Sequence, residues 1–263
     1  MNDLTDLKNA TCGEQLERVR YFPRQLLTAD DMRLEQEFFR EKARRHNRYL
    51  NGWGVVCGCA VAPVPDATTW TVRVSPGYVV GPQGDEILID HCVNVDLKLG
   101  APPEPCTVRW PCPPAGAMPV ESDGTAVVYI AVCYAECFSR PARVQPAGCG
   151  CDEALCEYSR VRDSFEIKLL WQLPESHATA IEDDKRWCDS VRNLAKNLAT
   201  GHPFPVPPCP EYMTEPWVVL ATITFPTNQK PGTLNARNVD VSFKNRRVLL
   251  ATQRLQTAVV CLL

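Results

Sequence analysis

The chain has 263 residues with a formal net charge of −3, and 45% of its residues are hydrophobic. This length can bury a sizeable core, as one large domain or two closely joined ones, while the charge provides no bulk attraction to nucleic acid or to an anionic membrane. The longest apolar run, AVVYIAVCYA at 126–135, is well short of the ~20 residues that span a bilayer. We therefore expect no membrane insertion and no nucleic-acid partner.

Cysteine and proline are unusually frequent, with 14 and 23 residues respectively. Prolines interrupt helices and sheet ladders, so they predict ordered connections between short elements. The first residues, MNDLTDLKNATC, include two acids and no apolar stretch, which indicates no secretory signal and predicts synthesis and assembly in the cytoplasm. Disulfides are disfavoured there, unless an assembled particle is later released and its thiols oxidise outside the cell.

The strongest helical segment is TADDMRLEQEFFREKARRHNRYL, at 28–50. Thr28 precedes Asp31 by three residues, which is the spacing of a capping box. The pattern predicts a long N-terminal amphipathic helix of about six turns. One stripe of this helix is expected to be buried because its residues recur at helical spacing: Met32, Phe39, Ala43, His46 and Leu50.

The basic run REKARRHNR, at 40–48, lies within the same helix. Its side chains surround the helix and form no single stripe. A solvated face is one interpretation and a docking surface for an acidic protein partner is another, whereas the lack of interleaved aromatic residues disfavours nucleic acid.

After Gly54 the apolar pattern changes to a period of two residues, which is typical of strands. Short strands are predicted at 55–61, 69–75, 78–81 and 86–90. Turn sequences at 76–77 and 82–85 join the later strands into antiparallel hairpins, so this part of the chain is expected to be a β-meander.

Further along the chain, longer strands are predicted at 125–137 and 164–173, with a Cys-rich insert at 138–160 between them. A second helix is predicted over 175–200, with Ile181, Cys188, Val191, Ala195 and Leu198 on one face. Late strands follow at 216–225 and 246–252. The fold class is therefore α+β and β-rich.

Two regions are proposed, although both can belong to one domain. Residues 1–100 would form the helix and the meander, and would dock other subunits. Residues 101–263 would form the β-rich region with the Cys-rich insert and the second helix. Proline-rich connections at 101–124 and 202–210 are the reason for the division.

The cysteines fall partly into two groups, VVCGCAV at 55–61 and GCGCDEALC at 148–156. If the first is a strand, Cys57 and Cys59 point to the same face about 6.5 Å apart, near the upper limit for a bridge, so packing is favoured for both. On an extended strand Cys133 and Cys137 would lie about 13 Å apart, so the two could bind the same metal ion only if a turn came between them.

The second group can enclose an ion or form bridges. Cys149, Cys151 and Cys156 together with Cys137 supply four sulfurs for a structural zinc site, and a set of disulfides fits equally well. Either cross-link would hold a loop that has few apolar residues. The cofactor expected from the sequence is therefore structural zinc or none.

No residue is assigned a catalytic or cofactor-binding role, and we expect no enzyme. The chain has four histidines, and the neighbours His91 and Cys92 would face opposite sides of a strand. No nucleotide-binding, hydrolase or metalloprotease motif is found. Two alternatives stay open, namely a cysteine- or zinc-dependent cytosolic hydrolase and a metal-binding adaptor.

Three segments resemble a protein family encoded among the genes of phage-tail-like contractile injection systems. The first is RYFPRQLLTADDMRLEQEFFREKARRHNRYLNGWGVVCGCAV, at 20–61. VSPGYVVGPQGDEILI, at 74–89, is similar to a unit of tail fibre and baseplate proteins. The third segment, 133–167, looks like the Cys-rich insert of the family.

The resemblance implies a structural component near the baseplate, spike or fibre, oligomeric within its assembly, with no catalytic residues. Its partners would be other particle subunits. Residues around the first helix would form the contact: Phe38, Phe39, Arg45, Tyr49 and Trp53. Aromatic residues dominate many interfaces, but closure of the protein's own core by the same aromatic rings is the alternative.

Overall fold

The computed structural model describes residues 15–64, 70–97, 124–143, 156–193, 209–210, 212–227 and 239–262, without the side chains of 143, 156, 258–260 and 262. Within this part the chain is a mixed α and β protein with three α-helices and mostly antiparallel sheets. The coarse expectation of helices combined with antiparallel strands is confirmed. None of the helices described is long and apolar enough to cross a membrane.

Helix α1 spans Ala29–His46 and starts at the predicted capping box. The Asp31 N–H donates to Thr28 Oγ1 at 3.2 Å, and the Thr28 N–H donates to the Asp31 carboxylate at 2.8 Å. The expectation of one long N-terminal α-helix is not borne out, because the regular α-helix has only 18 residues and ends at His46. A π-helical turn, Asn47–Asn51, completes the element and ends at Gly52, which has a φ of 79°.

The predicted burial of the α1 stripe is also wrong. No residue of α1 is buried. The five residues at helical spacing, Met32, Phe39, Ala43, His46 and Leu50, do lie on one side of the helix, but all of them are exposed. The helix instead contacts the body of the protein through Arg40, which donates to Glu136, and Arg44, which donates to Asp85.

Six short strands follow: β1 Gly54–Gly58, β2 Val61–Pro63, β3 Thr71–Val74, β4 Gly77–Val80, β5 Glu86–Ile89 and β6 Val93–Asp96. They form two three-stranded antiparallel sheets, with the orders β1-β4-β5 and β2-β3-β6. β4 and β5 form the predicted hairpin, with alternating burial along β5. The predicted hairpin at 76–77 is wrong, because β3 pairs with β2 and β6 whereas β4 pairs with β1 and β5, so the chain passes from one sheet to the other there and forms no single meander. Strand β6 is absent from the sequence prediction.

The segment 55–61 is two strands and not one. Gly58 and Cys59 have positive φ angles of 67° and 54°, which break the extended backbone. A Cβ on Gly58 would lie 2.2 Å from the Pro76 carbonyl oxygen, so only glycine fits there. As a result Cys57 is exposed and Cys59 is buried, which corrects the prediction that both point to one face.

A third sheet contains the longest strands. It is formed by β7 Thr125–Arg143, β8 Cys156–Leu170, β9 Val218–Pro226 and β10 Asp240–Ser242, in the order β10-β9-β7-β8. β7 and β8 pair from Tyr129–Leu170 to Arg143–Cys156. The predicted insert at 138–160 is therefore not a loop as a whole: its ends continue both strands. We call residues 136–143 and 156–163 the ribbon.

Helix α2 spans Glu175–Arg192 and helix α3 spans Thr252–Leu262. The predicted helix ran to residue 200, whereas α2 ends at Arg192. Residues 194–200 lie outside the described residues. The predicted face is exposed at Ile181, Cys188 and Val191, because α2 packs through its first turns, with Ser176, His177 and Ala180 buried.

The predicted late strand at 246–252 is wrong. Only Val248 makes a bridge, parallel to Val55, and α3 starts at Thr252. The side chains of Arg246 and Arg247 hold this segment, because they donate to the backbone oxygens of Leu220 at 2.6 Å and Trp53 at 3.1 Å.

The buried hydrophobic residues of all three sheets form one continuous cluster. Trp70, next to β3, contacts Phe225 of β9 edge-to-face, with ring centroids 5.4 Å apart. Residues from both sides of the proposed boundary near 100 thus share a core, while the boundary itself falls in 98–123, outside the described residues.

Candidate interaction surface on the first helix

The exposed side of α1 is the most distinctive surface of the protein. We define the stripe as Met32, Phe39, Ala43, His46 and Leu50. Phe39 is 58% exposed and Leu50 is 72% exposed. Apolar side chains at helical spacing are normally buried against another element, and a contiguous exposed set is typical of a contact surface.

A shallow open depression of about 280 Å³ lies beside the stripe. It is lined by Phe39, Lys42, Ala43, His46, Asn47 and Glu86. Glu86 belongs to β5, and Leu88, which lies on the same face of that strand by alternation, is also exposed. The apolar surface of α1 therefore continues onto the first sheet.

The segment before α1, residues 15–28, extends this surface. It has no helix or strand, turns at Pro23–Arg24 and is largely exposed, with Leu26 at 87% and with Tyr21, Phe22 and Leu27 also exposed. One contact connects it to the helix, since the Arg18 guanidinium lies 5.8 Å from the centre of the Phe38 ring. The Lys42 ammonium lies 5.7 Å from the same ring, so two cations flank Phe38.

The turn between β4 and β5 fixes the C-terminal end of α1. Asn47 is buried and its Nδ2 donates to the Gly84 carbonyl oxygen at 2.9 Å, while Arg48 donates to the Gln83 carbonyl oxygen at 2.8 Å. Arg44 Nε donates to Asp85 Oδ1 at 2.6 Å. Burial lowers the pKa of Arg44, but bonding to Glu41 and Asp85 outweighs this and raises it, so the guanidinium stays charged.

A second contact fixes the middle of α1 to the base of the ribbon. Arg40 donates to Glu136 at 2.6 Å. Glu136 is the cross-strand partner of Asp163, and two carboxylates in that position repel each other. Tyr134 Oη donates to Asp163 at 2.8 Å, so Arg40 and Tyr134 together compensate the two acids.

The residues predicted at the contact fall into two groups. Phe39 and Tyr49 are exposed, and Phe38 and Arg45 are half-buried beside them. Trp53 is buried, 4.8 Å from the His177 ring in an edge-to-face contact and 5.0 Å from the Arg247 guanidinium. For Trp53 the structure therefore favours the alternative, in which the ring closes the protein's own core.

The predicted zinc ligands are only partly described. Cys137 is disulfide-bonded. A sulfur in a disulfide is not a thiolate ligand, so the bridging alternative is the one seen at Cys137. Cys149 and Cys151 lie outside the described residues, and Cys156 is described by its backbone alone. Among the described residues no group of three or more metal-ligating side chains occurs.

The buried thiols are not activated. Burial raises the pKa of Cys59 to about 11 and that of Cys133 to about 12, so both stay protonated at neutral pH. His91 Nδ1 contacts Asp90 Oδ1 at 2.6 Å and the His91 ring lies beside Phe165. His177 accepts the Val219 N–H at 3.0 Å with Nε2, which gives this histidine a structural role.

Sequence reasoning missed the contact between the turn and the helix. The residues involved, Asn47, Gly84 and Asp85, lie within the segments HNR and GPQGDE, but no periodicity connects those segments. The chain matches no protein-family model and no curated protein sequence. What the stripe binds therefore has to be inferred from the chemistry of the surface itself.

Proposed function

We propose that this chain is a non-enzymatic structural component of a phage-tail-like contractile injection particle, near its baseplate, spike or fibre. The stripe of α1 would bind a neighbouring subunit. The observation that carries the proposal is an amphipathic helix held in a fixed orientation with its apolar side exposed. Burying a side chain such as Phe39 or Leu50 in a contact would contribute about 1.5–3 kcal/mol each.

The positions of the resembling segments support the same proposal. Segment 20–61 contains α1, and segment 74–89 contains the turn that holds it through Arg44 and Asp85. The parts of the sequence that resemble particle proteins are therefore in direct contact. Together they present the stripe and the depression at one side of the molecule.

The proposal places synthesis and assembly in the cytoplasm, followed by release as part of an extracellular particle. The disulfide at Cys137 supports the release, because such bonds persist in oxidising surroundings. No cofactor other than a structural zinc on the remaining cysteines of the insert is proposed.

The test is sedimentation of particles from the source cells, with the chain quantified in the particle fraction. Phe39→Glu is expected to remove the chain from particles while its melting temperature stays within a few degrees of wild type. Leu255→Glu is the matched control, because Leu255 of α3 is 48% exposed but lies outside the stripe.

Two results would contradict the proposal. One is a normal yield of particles after deletion of the gene together with absence of the chain from wild-type particles. The other is equal incorporation of the Phe39→Glu and Leu255→Glu variants, which would show that the stripe is not the contact.

A further inference from the structure

The exposed side of α1 has a heptad pattern that the five stripe residues alone do not show. We define the seam as residues 29, 32, 36, 39, 43 and 46. They are separated by alternating steps of three and four residues, and every one of them is exposed. Steps of this kind are typical of a helix that packs along another helix. In the part of the chain that the structure describes, no second helix lies along this side.

The side chains along the seam differ in size. Phe39, Met32 and His46 are large, whereas Ala43 and Ala29 are small. If a second α1 lies antiparallel so that Gln36 faces Phe39 of the other copy, Met32 then faces Ala43 and Ala29 faces His46. Each layer pairs a larger side chain with a smaller one, which fills the space between two helices well.

Charges beside the seam match the same arrangement. Glu35 and Lys42 lie on one flank, one heptad apart, and the antiparallel register brings Glu35 of each copy to Lys42 of the other. Side chains tilt toward the N-terminus of their helix, so these two converge.

The charged residues on the other side of the seam do not disfavour the antiparallel dimer. Arg33 and Arg40 would be the like-charged neighbours there, but their side chains diverge in this register. Each is already held in an ion pair at 2.6 Å, Arg33 with Asp30 and Arg40 with Glu136. A parallel pair is less favourable, because it would place Ala43 against Ala43 and leave a gap.

We infer that the seam of α1 binds the same seam of a second copy of this chain, as an antiparallel two-fold pair. Because both copies use the same surface, the contact is closed and symmetric. This inference rests on the proposed role of the stripe as a subunit contact and names one of its neighbours.

Sedimentation velocity of the full chain over a range of concentrations tests the inference. Exposed free thiols such as Cys57 and Cys92 are first alkylated under non-reducing conditions, so that they cannot cross-link copies. The wild type is expected to form dimers reversibly. Glu35→Lys and Lys42→Glu should each weaken dimerisation about tenfold, because each reverses two pairs per dimer.

The double reversal, Glu35→Lys with Lys42→Glu, should restore the wild-type dissociation constant to within about threefold. Glu37→Lys is the control, since it makes the same charge change on an exposed residue away from the seam. Melting temperatures of all variants establish that each one folds.

Three outcomes would overturn the inference. They are a wild type that stays monomeric at all concentrations, single variants that dimerise like wild type, and a double variant as weak as the single ones. If the chain is monomeric but present in particles, the inference fails while the proposed function stands. If the variants dimerise as expected but the chain is absent from particles, the inference stands while the proposed function fails.

Discussion

Arg44 Nε lies 2.6 Å from Asp85 Oδ1, although 41 residues separate the two in the sequence. The side chain of Asp85 is only 9% exposed and that of Arg44 is 20% exposed. The pair joins the last turn of α1 to the turn between β4 and β5. The orientation of the exposed helix thus depends on a small and largely buried contact.

Arg44→Met is expected to lower the free energy of unfolding by about 2–3 kcal/mol, because it leaves the Asp85 carboxylate buried without its main partner. Arg33→Met is the control: the Arg33–Asp30 pair is exposed and should contribute less than about 1 kcal/mol. Urea denaturation followed by circular dichroism measures both. Equal losses in the two variants would contradict the structural importance of the pair.

Gly84→Ala is expected to destabilise the fold by about 2–3 kcal/mol. A Cβ on Gly84 would lie 2.2 Å from the Arg44 carbonyl oxygen, and the φ of Gly84 is 92°. Gly81→Ala is the matched control in the same turn, where a Cβ would meet nothing nearer than 3.6 Å. Thermal unfolding of the two variants side by side tests this, and a similar melting temperature for both would count against the described packing.

Cys137→Ala is expected to cost about 2–4 kcal/mol through loss of the disulfide. Cys133→Ala, which removes a buried free thiol four residues earlier, should keep the full difference in stability between oxidised and reduced protein. In Cys137→Ala the difference in stability between oxidised and reduced protein should be smaller, because the Cys137 disulfide no longer contributes to it. Intact mass before and after reduction, together with unfolding curves, gives the measurement. An unchanged difference would mean that Cys137 is not bridged.

Because of His177, we expect the free energy of unfolding to decrease toward acid pH. Burial lowers its pKa from 6.5 to about 4, so between these values the unfolded chain binds a proton that the folded chain does not. Stability is therefore full above about pH 6.5 and falls by up to about 3 kcal/mol as the pH approaches 4. His177→Gln should flatten this part of the stability curve relative to wild type.

His46→Gln is the control for this measurement, because the ring of His46 is exposed on the stripe. Urea unfolding at several pH values between 4 and 7 compares the three proteins. A wild-type slope equal to that of His177→Gln would show that His177 does not contribute to the pH dependence.

Local signals in the sequence predicted local structure well. The capping box of Thr28 and Asp31 depends on residues three apart, and the structure has it as expected. The turn at 82–85 likewise joins β4 and β5 in the expected hairpin. In each case the determining residues are neighbours, so tertiary contacts do not decide the outcome.

The burial of α1 was not predictable in the same way. An amphipathic pattern indicates that one side of a helix meets something apolar, but not whether that partner belongs to the same chain. The stripe residues were identified from their spacing, and the error concerns only what covers them. The contact of Gly84 with Arg44 depends on packing between distant segments, which no single-sequence pattern contains.

The Cys-rich insert was interpreted as a loop because it has few apolar residues. The structure extends β7 and β8 into it, where paired backbone groups replace a hydrophobic face. Similarly, the positive φ of Cys59 is rare for a residue with a side chain and cannot be expected from composition. Cys57 is exposed and Cys59 is buried because the φ angles of Gly58 and Cys59 are positive.

The ribbon has a mechanical consequence. β7 is a single strand that runs from the core, at Ala126–Val132, to the outer end of the ribbon at Arg143, and β8 accompanies it for most of that length. Tension applied to the outer end along the strand direction would pull β7 and β8 together, so the load would reach the core and act in shear on the ladder between β7 and β9. The outer end of the ribbon is therefore coupled mechanically to the hydrophobic core.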